Sequence, residues 1–378
     1  MHRYLRASLL TLLLVFVPSV AVACLWDYDT LLAERSRFPS VLELITGKFL
    51  RHSPEFYEWR VKDRQQKLAS DPENLAYLDD LAVAFDKLGK QDQAIELMER
   101  KEQLKPGLYE TAANHGTFHA HAGRYAEALP YLKRAIEINP DAHFGREKYQ
   151  ILLIEYSLAK PADMEFARYL TETVEIDLSQ KEQLQAAVKG VLGIVRFGNH
   201  DNPKVLSALG SLLVANYSEI PDFDAKALAA RAYLKAEKLT KDPMQAARYR
   251  ELAEQAIDLQ HGVGLELVEA EFRRELDDAD QWYAELRDRE LAWINAGVDV
   301  DAEFAKLYQR EPAALQTRSE GSLDHATKKR RMERGLFTML IGSAAFLIAL
   351  LIVAGYAVIR FFAWVMPAKT DSQQKPVP

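Results

Sequence analysis

The sequence predicts an all-α protein, a solenoid of helix-turn-helix repeats followed by one C-terminal transmembrane helix. Residues 75–108 and 109–142 share one pattern with a period of thirty-four. Units of that size cannot bury their apolar faces alone and therefore stack side by side. Elsewhere, no stretch alternates apolar and polar residues convincingly with the period of two that a half-buried strand shows. Near the end, 335–359 is an uncharged run of twenty-five residues. At about 1.5 Å per residue it is long enough to cross a hydrocarbon core of about 30 Å.

Taken in order, 1–23 reads as a signal peptide. Arg3 and Arg6 precede an apolar run at 9–17 broken only by Thr11, and Ala21-Val22-Ala23 offers a small-residue cleavage site. Ala21-Val22-Ala23-Cys24 resembles a bacterial lipobox, with alanine where a larger aliphatic residue is usual. Cys24 is thus a candidate lipidation site; ordinary cleavage would leave the same residue unmodified. It is the only cysteine, so no internal disulfide can form. Within the N-terminal helical segment 24–74, Ser40 and Glu43 have capping-box spacing, and Ser53-Pro54 and Asp71-Pro72 each pair an N-cap with proline.

In the first repeat Leu78, Leu81, Ala82 and Phe85 form the apolar stripe of helix A, Gly89 ends it, Ala94, Ile95 and Met98 form the stripe of helix B, and Pro106 stops it. The second puts Ala112, His115, Gly116 and His119 in the helix A slots, then Gly123, Ala128, Leu129, Leu132, Ala135 and Pro140. With small residues, a glycine turn and a closing proline at these spacings, 75–142 resembles the tetratricopeptide repeat family. Ala112 and His115 depart from its large apolar slots. The resemblance implies a right-handed superhelix that binds a protein or peptide on the concave face of its A helices. By the matched offsets the groove positions are Asp79, Val83, Asp86, Lys87, Glu110, Ala113, Thr117 and His121, with Ala76 and Ala120 beside them. Family members that clamp a C-terminal carboxylate carry an asparagine where this chain has Val83 and Thr117, which argues against that ligand.

Residues 143–264 read as degenerate hairpins, with helices near 143–159, 163–174, 180–197, 203–217, 223–239 and 243–259 broken at proline and glycine. Over 265–310 a long capping helix and a short one are expected. Leu265, Phe272, Ala279, Leu286 and Trp293 recur every seven residues, but Glu275 and Arg289 interrupt the companion positions, which disfavours a coiled coil. Residues 311–334 form a linker and basic flank, 335–359 the span and 360–378 a short tail. The cations Lys328, Lys329, Arg330, Arg331 and Arg334 precede the span, opposite to the positive-inside bias. Long domains behind a signal peptide translocate largely regardless of charge. The expected topology is therefore single-pass in the cytoplasmic (inner) membrane, with the helical domain periplasmic.

The formal net charge of −7 gives no support to nucleic-acid binding, which would call for a basic face outside the membrane-flanking cluster. An enzymatic alternative, a metal-dependent hydrolase, rests on His115 and His119, four apart on one helix, or on Asp141, His143 and His200, whose Asp-x-His and Gly-Asn-His-Asp contexts resemble metallophosphoesterase elements. The Gly-Asp and Gly-His-x-His partners of those elements are absent. A further alternative is an envelope-assembly factor acting through the small-xxx-small pair Ala345 and Ala349. The sequence favours a binding scaffold with no catalytic residue, metal or cofactor.

Overall fold

Helices begin where short polar side chains can take up their free N–H groups. The computed structural model describes residues 26–140, 145–159, 164–215, 223–258 and 264–309, all within the compact unit Met1–Gln316. In α1 (Tyr28–Arg35), Asp27 accepts from Thr30 N–H at 2.9 Å. Ser40 and Glu43 close the expected capping box on α2 (Val41–Thr46). Ser53 caps α3 (Pro54–Ser70), where Pro54 occupies the first turn.

The repeats follow as two hairpins, α4 (Leu75–Lys87) with α5 (Gln91–Leu104), then α6 (Tyr109–His121) with α7 (Tyr125–Ile138). Their turns superpose in detail. Gly89 and Gly123 adopt φ of 74° and 75°, left-handed values that glycine tolerates at no steric cost. Lys90 N–H bonds Phe85 O at 2.9 Å, and thirty-four residues on Arg124 N–H bonds His119 O at 2.9 Å. Small residues let the hairpins close: Ala82, Ala94 and Ala128 are fully buried, and a Cβ on Gly116 would lie 2.6 Å from Leu132 Cγ.

Beyond them come α8 (Arg146–Ala159), α9 (Phe166–Glu172), α10 (Lys181–Phe197), α11 (Pro203–Ala215), α12 (Phe223–Leu239) and α13 (Pro243–Asp258). Consecutive helices again pack in pairs, α11 on α12 and α12 on α13, as in a helical-repeat solenoid. Gly190 of α10 lies against the Tyr149 ring and Gly210 of α11 against Tyr233. Leu184, Val191, Leu206, Leu209 and Leu212 fill the largest core cluster between these helices. Among the described residues there is no strand.

The last two helices change the expected picture. Helix α14 (Leu265–Ala296) runs thirty-two residues, about 48 Å. It packs on α12 and α13 and also on α2 and α3, early elements of the chain, and α15 (Val300–Gln309) packs on α1. The chain thus closes on itself, rather than being capped at one end only. Both carboxylates that α14 buries at or near its apolar stripe find cations here: Glu275 binds Arg231 at 2.7 and 2.8 Å, and Glu290 binds His52 at 2.6 Å. No helix among the described residues is long and apolar enough to cross a membrane. The expected span 335–359, the signal 1–23, Cys24, the linker, the basic flank and the pair Ala345 and Ala349 lie outside those residues, as do Asp141 and His143.

Candidate functional site

The A-helix faces of the two repeats are covered by the chain's own N-terminal segment. Trp26 N–H donates to Asn114 Oδ1 at 2.8 Å while Asn114 Nδ2 donates to Trp26 O at 3.2 Å. Two residues on, Tyr28 N–H donates to Asp80 Oδ1 at 3.0 Å. Asp80 and Asn114 are thirty-four apart, so one repeat offset supplies an acceptor to alternate amides of a single strand-like stretch. The Trp26 side chain packs on Tyr109, Ala112, Ala113 and Ala135.

This arrangement settles where the expected groove positions lie. Val83 and Ala113 are core residues, 1% and 0% exposed. Asp79 accepts from Lys101 Nζ at 2.6 and 2.7 Å beneath the segment, and Glu110 is half-buried. Thr117 is buried and accepts from Gln150 Nε2 at 3.3 Å. His121 and Asp86 meet at 2.8 Å, one repeat bridging to the next. Lys87 donates to Phe197 O at 2.9 Å and Gly198 O at 2.7 Å. Although expected to line an open groove, Asp79 and Asp86 are only 2% and 4% exposed, with Lys101 and His121 against them.

A buried ionic network fastens the covering segment. Arg60 of α3, fully buried, reaches Asp27, Asp29 and, at 2.5 Å, Asp301 of α15. Arg64 joins Asp80 at 2.7 Å to Asp301. Asp29 Oδ1 lies 3.2 Å from His52 Nε2, an ion pair without hydrogen-bond alignment, and His52 continues to Glu290. Burial disfavours the charge on His52, but Asp29 and Glu290 outweigh it and push its pKa up to about 9. Burial and the neighbouring Asp29 raise Asp27 to about 6, while burial of Asp29 is overcome by Arg60 and His52, which hold it below the usual carboxylate range.

What the segment leaves open is a cavity of about 470 Å³. Asp29 and Thr30 of α1, Arg51 and His52, Lys87 of α4, His121 of α6, the turn Gly198–Asn202 and Tyr283 of α14 form its walls. Burial lowers Lys87, and burial followed by the charges of Arg51 and Lys235 lowers His200 to about 3, favouring its neutral form although the Asp201 carboxylate lies 3.4 Å from its Nε2 and opposes the shift. Of the candidate site residues named from sequence, Val83, Asp86, Lys87, Ala120, His121 and His200 reach this cavity; Arg51, His52 and Tyr283 were missed, since they belong to elements brought in only by closure.

His115 and His119 do not converge on a common point. They stack face to face at 5.1 Å, and both stack on Tyr131. Burial, then His119, lowers His115 to about 4, and its Nε2 has no hydrogen-bond partner among the described residues. Among the described residues no three histidine, cysteine or carboxylate side chains are placed to hold a metal. No protein-family model matches the chain, and no curated protein matches it.

Proposed function

We propose that the chain is a membrane-anchored binding protein of the tetratricopeptide type, with its right-handed helical domain on the periplasmic side. It works by holding a ligand rather than by chemistry. The observation that carries this reading is the cavity left beside repeats whose A helices are already crossed by residues 26–28. A volume of about 470 Å³ falls in the range of small-molecule sites. It accommodates a compact ligand or the end of a peptide, and a folded partner would touch only its rim. The periplasmic assignment draws on the signal-like 1–23 and the apolar 335–359.

Gln91, half-buried at the start of α5, lines the cavity, and among the described residues its side chain bonds only Asp86 O, at 3.2 Å. Gln91→Trp should narrow the site without disturbing the ionic network. The full chain is purified from its host membranes, and mass spectrometry is applied to what unfolding releases. The expected result is one stoichiometric compound or short peptide, depleted about tenfold or more in the variant, equivalent to about 1.4 kcal/mol of binding. Equal recovery from both proteins would contradict the assignment of the site.

A further inference from the structure

The cavity is electrostatically uneven. Near Asp29 every carboxylate has a cation, whereas at the His200 end two cations lack a carboxylate. Lys87 is held by the two carbonyls of Phe197 and Gly198, and Arg51 by Gly47 O and the face of Tyr283, 3.6 Å from its ring centre. Among the described residues neither has a carboxylate within 4.0 Å. The remaining charges there are matched: Lys235 of α12 pairs with Asp201 at 2.6 Å, His121 of α6 pairs with Asp86, and Asp280 of α14 is exposed.

The groups also face one small volume. A Cβ placed on Gly47 would lie 3.2 Å from His200 Nε2 and 3.4 Å from Arg51 Nη2, so these two are neighbours. A Cβ on Gly198, whose carbonyl Lys87 holds, would lie 3.7 Å from His121 Nε2. Aromatic rings complete the walls: Phe49 meets His200 edge-on at 5.6 Å, and Tyr57, Tyr125 and Tyr283 line the same cavity.

From this juxtaposition, and resting on the binding reading above, we propose that Arg51, Lys87 and His200 receive the oxyanion of a small organic ligand, a carboxylate or a phosphate whose body lies on the tyrosines. Held by carbonyls and a ring rather than by carboxylates, the guanidinium and ammonium groups are not neutralised by a partner, and an entering anion would offset the burial that disfavours their charge. The same guest reverses the field on His200, so the neutral imidazole takes up a proton as the anion enters.

The full chain in uncharged detergent is titrated with benzoate and with inorganic phosphate, the ionic strength being held constant with chloride. The expected result is saturable binding of at least one probe beyond chloride, weakened about tenfold or more by Arg51→Gln and by Lys87→Gln. Benzoate alone would mark a carboxylate with an aromatic body, phosphate alone a phosphate group. Calorimetry in two buffers of different ionisation heat should show proton uptake that His200→Asn removes while binding persists. Melting of each variant without anion verifies folding. Absence of saturable binding for both probes, or unchanged binding in the Arg51→Gln, Lys87→Gln double variant, would overturn the proposal. If the compound released from membranes is lost with Gln91→Trp but retained by that double variant, the cavity still binds and the anion assignment alone fails.

Discussion

Arg60→Leu should destabilise the helical domain by about 3–5 kcal/mol, read as a loss of denaturation midpoint in the full chain. Arg60 is fully buried and serves Asp27, Asp29 and Asp301 at once, so removing it strands three largely buried carboxylates. Breaking one side of a buried ion cluster costs far more than the pair is worth against an apolar replacement. Combining Arg60→Leu with Asp29→Asn should restore part of the loss, since the stranded charge then disappears. A fall below about 1 kcal/mol would mean that the network does not hold the covering segment in place.

The second expected result is a loss of stability as pH rises from about 7 to 9. His52 titrates near the ordinary 6.5 when unfolded and at about 9 when folded, because Asp29 and Glu290 overcome its burial. A raised folded value means stabilisation that is fully present below 6.5 and lost as pH climbs through the folded value, here on the order of a few kcal/mol. The buried carboxylates act below this window. Asp27 at about 6 and Asp79 and Glu34 at about 7 are raised mainly by burial, so their contribution falls between the ordinary carboxylate range and pH 7. His52→Gln should melt lower at neutral pH and show a flat profile from 7 to 9. A wild-type profile that is already flat there would contradict the charged His52.

Local features were legible in the sequence because they are written locally. The expected helix 223–239 has the bounds of α12, and the long and short helices expected over 265–310 are α14 and α15, since caps, prolines and apolar spacing act within a few residues. The glycine turns followed from the thirty-four-residue period for the same reason. Closure was not legible. It depends on Trp26 meeting Asn114 eighty-eight residues away and Arg60 meeting Asp301 across 241, and no periodicity encodes such pairings.

Asp79 and Asp86 show the cost of reading a helix by itself. On α4 alone they belong to a polar face; in the fold Lys101 and His121 pair with them and residues 26–28 cross the A helices nearby. One signal was available. Asp80 and Asn114, short polar side chains at the same offset in both repeats, stand one place beyond Asp79 and Ala113, and both hold backbone amides of the covering segment.

That covering is the central claim, because it turns an open groove into a bounded cavity. Amide hydrogen exchange of Trp26 and Tyr28 in the full chain tests it most directly. With their N–H groups bonded to Asn114 and Asp80, both amides should exchange slowly and lose protection in Arg60→Leu. Exchange of Trp26 and Tyr28 at the rate of an unstructured chain in the wild-type protein would show the A-helix faces to be open and would contradict this account.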